Sequence, residues 1–184
     1  MGGGYRDMKY KIGKIDAAKR QLETAIILYF NEHDFISIHT LLGAASNILA
    51  DLLKTAGKST QIDETLSPYL LENVKKEVIK GLRKYQNFFK HARDDPDDFL
   101  DFDPKQTEFL LYAATNDYST LTGEQPPLFL VYRVWMLTVY KDVFLIPQKY
   151  KYLLQRTSLA RMSKREFLRE SFQEIYALEM GNKV

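Results

Sequence analysis

Cysteine is absent from all 184 residues of the chain, so disulfides, thiolate nucleophiles and cysteine-based zinc centres are excluded. Histidine is scarce. A three-histidine zinc site would consume His33, His39 and His91 together, and none of them stands in a His-x-x-x-His or Glu-x-x-His pair, so no metal is expected. Net charge is nearly absent too, with 26 basic residues against 24 acidic ones and a formal charge of +2, which removes any argument from bulk electrostatics. Neither a Gly-rich phosphate loop nor a nucleophile elbow occurs, and no cofactor is expected. No segment alternates apolar and polar residues over the length of a strand, and Asn-Gly and Asp-Gly hairpin signals are missing, which leaves little room for sheet.

What is present is a folding composition. Apolar residues make up 45% and aromatics 13% of the chain, enough for one domain with a sizeable core. The start, Met1-Gly2-Gly3-Gly4-Tyr5-Arg6-Asp7, carries no apolar stretch of the secretory kind and places Arg6 where a myristoylation signal wants Ser or Thr. The most apolar window, Leu128 to Ile146, contains Arg133, Lys141 and Asp142. Charges inside the span argue against a membrane helix, and a cytoplasmic protein without membrane contact is expected.

The apolar residues recur with helical period. Ile15, Ala18, Leu22, Ala25, Ile26 and Tyr29 define a first helix, and Phe35, Ile38, Leu41, Leu42, Ala45, Leu49, Leu52 and Leu53 a second, opened by Asp34 and stopped at Gly57. Ser67-Pro68 opens a third, with Leu71, Val74, Val78, Leu82, Tyr85 and Phe89 on its inner face. Asp103-Pro104 opens a fourth, with Gln106 as a partial capping box and Gly123 at the end. The spacing predicts an all-α fold: an antiparallel four-helix up-and-down bundle with additional C-terminal helices. Pro126-Pro127 precedes a fifth helix, Leu128 to Ile146, apolar nearly all round and therefore expected to be buried. A last helix is predicted over Lys164 to Met180. The expected organisation is a flexible N-terminus (1–13), the bundle (14–123), and a helical extension (124–184) packed on the bundle or on a second subunit. Charge is unevenly spread, since the segment after Pro147 is +4 and the first 146 residues are −2.

The third helix separates into two faces. Its apolar residues fall within roughly 60° of Leu71, while Lys76, Lys80, Arg83, Lys84, Asn87, Lys90 and His91 gather on the opposite side. Cations and an imidazole on one surface suit a phosphate-bearing partner. A solvated helix face, with His91 favoured at the helix C-terminus by the dipole, accounts for the same residues structurally. His39 lies on the flank of the second helix, to be read either as a hydrogen-bonded, half-buried residue or as one that meets His91 or Asn87 across a helix or subunit boundary. The six aspartates between Asp94 and Asp103 lack the glycine and the closing glutamate of a calcium loop and read as a solvated acidic loop.

Leu22 to Phe30, the string Phe35-Ile36-Ser37-Ile38-His39-Thr40-Leu41-Leu42-Gly43-Ala44-Ala45, and the ending Asn87-Phe88-Phe89-Lys90-His91-Ala92 before an Asp-Pro-rich loop together resemble the HEPN superfamily, in particular a bacterial branch with the Asn-Phe-Phe-Lys-His-Ala string. The similarity covers roughly residues 14 to 122. It implies a four-helix bundle, commonly a homodimer, that binds nucleotide or RNA or acts as an interaction module, and in many members a metal-independent ribonuclease. Active members place an Arg before the catalytic His, separated from it by a spacer of four to six residues. Here His91 matches the His, whereas that window holds Lys84, Tyr85 and Gln86, with Arg83 one residue outside it. The resemblance therefore implies binding of RNA or nucleotide phosphate through Lys80, Arg83 and Lys90. The alternative is RNA cleavage by in-line attack of the 2′-hydroxyl, with His91 exchanging protons, Lys84 or Arg83 offsetting phosphate charge, Asn87 orienting the imidazole or the phosphate, and His39 behind them.

Overall fold

Helix ends decide the layout, and each is closed by a local device. In the structure, a computed structural model, residues 11–58, 84–91, 97–144 and 162–181 are described, with side chains to residue 173. Helix α1 (Lys14–Phe30) carries an Asp16–Arg20 pair at 3.1 Å across its first turn and buries Ala18, Leu22, Ala25, Ile26, Tyr29 and Phe30. Its end is a Schellman turn: the Glu32 amide donates to the Tyr29 carbonyl (3.1 Å) and the His33 amide to that of Leu28 (3.0 Å), with Glu32 left-handed at φ 58°. Glycine usually fills that position, because a Cβ there meets the following carbonyl.

Asp34 caps α2 (Phe35–Thr55) by accepting from the Ser37 amide and hydroxyl, both at 2.8 Å, and these bonds hold its carboxyl below the usual carboxylate range. A second Schellman turn ends α2 with Gly57 at φ 65°. By length and composition α2 could cross a membrane. It packs against α1 and the next long helix, burying Ile38, Leu42, Ala45, Leu49 and Leu53.

Only the last turn of the predicted third helix, 84–88, is among the described residues. Its Ser67-Pro68 opening, its inner residues Leu71 to Leu82, and Lys76, Lys80 and Arg83 lie outside them, as do 1–10, 92–96 and most of the segment after Phe144. Helix α3 (Pro104–Thr122) starts as expected: Asp103 accepts from the Lys105 amide at 3.0 Å and Pro104 takes the first turn. The partial capping box does not close, because the Gln106 side-chain oxygen is buried without a partner. Almost every residue of α3 from Thr107 to Tyr118 is buried, since α2, α1 and α4 (Pro127–Val139) pack around it. Helix α4 is shorter than the expected 128–146; it ends at Val139, and residues 140–143 form a turn. It is buried from Val131 to Leu137, including Arg133. Helix α5 (Lys164–Gly181) opens with a full capping box, Ser163 and Glu166 bonding reciprocally at 2.7–3.4 Å.

The fold is all-α, and no extended strand occurs among the described residues. One core runs from Ala18 of α1 through Leu42, Leu110 and Trp135 to Phe167 of α5. Full burial of a side chain such as Leu22, Ile26, Leu42 or Leu49 contributes about 1.5–3 kcal/mol relative to exposure.

Candidate functional site

The 84–91 segment keeps the two faces read from the sequence. Tyr85 is buried and Phe89 half-buried, whereas Lys84, Asn87, Lys90 and His91 are all exposed. Backbone bonds from Phe89 to Tyr85 and from His91 to Asn87, both 3.1 Å, extend the helical turn to its end, where a cation is favoured by the carbonyl dipoles.

What anchors this segment is an aromatic cluster. The rings of Tyr85, Phe89 and Phe102 surround the His39 imidazole edge-on, with centroids 5.6–5.9 Å away. Tyr85 and Phe102 meet at 5.0 Å, Phe89 and Phe102 at 5.2 Å. The Tyr85 hydroxyl donates to the Asp101 carbonyl and accepts from the Asp103 amide, each at 3.2 Å. At residues 101–103 the acidic loop is thereby stitched to the turn that displays the basic face.

His39 is fully buried in α2. Its Nδ1 lies 3.0 Å from the Thr107 hydroxyl of α3, and its Nε2 has no partner. Burial above all, and then the charge of Lys90, hold its pKa down to about 4. It is neutral at pH 7 and sealed from solvent by Tyr85, Phe89 and Phe102. Within the chain His39 does not meet His91 or Asn87, which are exposed while His39 is enclosed. His39 instead supports the segment that carries them.

Gly43, one helical turn after His39, admits that segment closely. A Cβ at Gly43 would lie 3.0 Å from the Lys90 ammonium nitrogen, 3.3 Å from its Cε and 3.4 Å from Gln86 Cγ. Lys90 thus lies across α2, within electrostatic reach of His39, while the residue stays exposed at the surface.

Two polar clusters escaped the sequence reading. Glu108, buried in α3, accepts from the Tyr29 hydroxyl (2.8 Å) and from the Tyr140 hydroxyl; Trp135 Nε1 donates to the Tyr29 oxygen (2.9 Å), and Tyr132 donates to the Glu108 carbonyl (2.9 Å). Burial and the Glu108 charge push the Tyr29 and Tyr140 phenols well above their ordinary pKa, so both stay protonated donors. The Lys164 ammonium stands 3.9 Å from Glu108. In the second cluster Arg133 donates to the Thr115 carbonyl and hydroxyl, to Ser119 Oγ (2.6 Å) and to Gln125 Oε1 (2.6 Å), which joins α4 to α3. Glu108 is separated from Tyr29 by 79 residues and carries no local signal. Arg133 could have been found, as a charge in a helix otherwise apolar all round.

No group of three or more His, Asp or Glu placed to hold a metal occurs among the described residues. A scan against protein-family models, a search of curated proteins and a search of solved structures each find no match to this chain.

Proposed function

We propose that the chain is a HEPN-like helical binding module that holds the phosphates of RNA or a nucleotide against the 84–91 face and works as a cytoplasmic homodimer. One observation carries the reading: Lys84, Asn87, Lys90 and His91 are exposed together, above an aromatic layer that fixes the turn presenting them. Ammonium groups neutralise phosphates, and Asn and His add directional donors. The resemblance supports the same reading and the dimer. Binding is favoured over RNA cleavage because a second imidazole is missing from this face: His39 is neutral and enclosed.

The test is fluorescence anisotropy of a labelled single-stranded RNA across a salt series. Each single-stranded phosphate contact contributes about 0.7 to the log–log salt slope, so Lys84→Gln with Lys90→Gln is expected to weaken binding and flatten the slope by about 1.4. An RNA affinity indifferent to salt and to both substitutions overturns the proposal. RNA cleavage by the wild type that disappears in His91→Ala would replace it with the nuclease reading.

A further inference from the structure

Lys164 opens α5 at the end of a helix where a cation is disfavoured by the dipole. Its ammonium nevertheless has a well-defined position, 3.8 Å from the centroid of the Tyr29 ring, 5.5 Å from that of Phe35 and 3.9 Å from a Glu108 oxygen. Two ring faces and a carboxylate around an alkylammonium are the elements by which proteins recognise organic cations.

These elements do not depend on Lys164 for their placement. The Glu108 carboxylate is held by Tyr29 on one oxygen and Tyr140 on the other. The Tyr29 ring is fixed through its hydroxyl by Trp135 and edge-on by Tyr132 at 5.2 Å. Such preorganisation lets a ligand bind without paying to order the site. Nor does α5 depend on Lys164 alone. Arg165 donates to the Asn31 carbonyl at 3.1 Å, and Phe167 stacks on Phe30 at 6.2 Å and meets Trp135 at 5.0 Å. The Lys164 side chain is 21% exposed, so it can swing into water while the helix stays docked.

We propose that Tyr29, Phe35 and Glu108 form a recognition site for a small organic ammonium, occupied in cis by Lys164, and that a free alkylammonium ligand competes with that side chain. The ligand class follows from the occupant: a cationic amine on a short apolar stem, whose charge meets Glu108 and whose methylenes lie along the rings.

The chain contains one tryptophan, Trp135, and its hydrogen bond to Tyr29 makes its emission a reporter of the site. The full-length chain is titrated with n-butylammonium chloride against sodium chloride at equal ionic strength. Lys164→Ala is expected to give a saturable emission change with a midpoint at least tenfold below that of the wild type, and adding Glu108→Gln is expected to abolish it. If Lys164→Ala loses helicity by circular dichroism, Lys164→Ser, which suits a helix start, carries the same comparison. No saturable response in a folded variant, or equal midpoints for variant and wild type, overturns the proposal.

Discussion

Replacing His39 by leucine removes a titrating group from the interior without opening a large cavity, and its effect is a matter of pH. The imidazole is fully buried, and among the described residues the groups facing it that carry charge or titrate are Lys90 and Tyr85. Its pKa falls from 6.5, the ordinary histidine value that the unfolded chain retains, to about 4 in the folded chain. Above pH 6.5 neither state is protonated, and His39 adds no pH dependence. As the pH falls through 6.5, the unfolded chain takes up a proton that the folded chain refuses until about pH 4, so stability is lost over that window. At about pH 5 the loss amounts to about 2 kcal/mol relative to pH 7, from about 1.4 kcal/mol per unit. At pH 7 the substitution forfeits a bond to Thr107 worth about 1 kcal/mol but also removes an unpaired buried nitrogen, so the two effects partly offset. Urea unfolding followed by Trp135 emission, at about pH 7 and about pH 5, reads both quantities. His33 and His91 remain in both proteins, so their contribution cancels from the difference. The wild type is expected to lose about 2 kcal/mol more than His39→Leu between the two pH values. Equal losses would refute the burial of a neutral imidazole.

Tyr140→Phe takes one donor from the buried Glu108 carboxylate and is expected to cost about 1.5–3 kcal/mol in urea unfolding, as for a bond to a charged group; an unchanged midpoint would contradict the bond. Gly43→Ala gains up to about 1 kcal/mol of helix propensity while its Cβ presses on the Lys90 ammonium. Since Lys90 is flexible, stability is expected to hold within about 0.5 kcal/mol and RNA affinity to fall, a split that paired unfolding and anisotropy measurements reveal. Asp103→Ala removes the cap of α3 and is expected to lower stability by about 1 kcal/mol, measured as a thermal midpoint shift with RNA affinity retained.

Much of the chain's layout is written locally. Asp34 and Asp103-Pro104 start helices where the sequence predicts, and Gly57 and Gly123 take the left-handed positions that end them, because caps act through bonds spanning a few residues. Helix α4 shows the limit. Between Leu128 and Pro147 no glycine or proline marks a stop, and the early end before Tyr140 coincides with a long-range bond from its phenol to Glu108. Periodicity also placed the outward Lys84, Asn87, Lys90 and His91 correctly, since an amphipathic wheel states which side is wet. It could not say that His39 would face Tyr85, Phe89 and Phe102, whose arrival depends on another segment. Nor could it pair Glu108 with Lys164, two charged residues that in isolation read as surface.

The shared core has a consequence for synthesis. Phe30 of α1 and Trp135 of α4 are covered by Phe167, which the ribosome reaches after every other described helix has been made. Until then the nascent chain presents an aromatic face to the cell, the kind of surface that chaperones hold and that drives self-association. Translation of α5 is therefore the step at which this aromatic surface gains its cover.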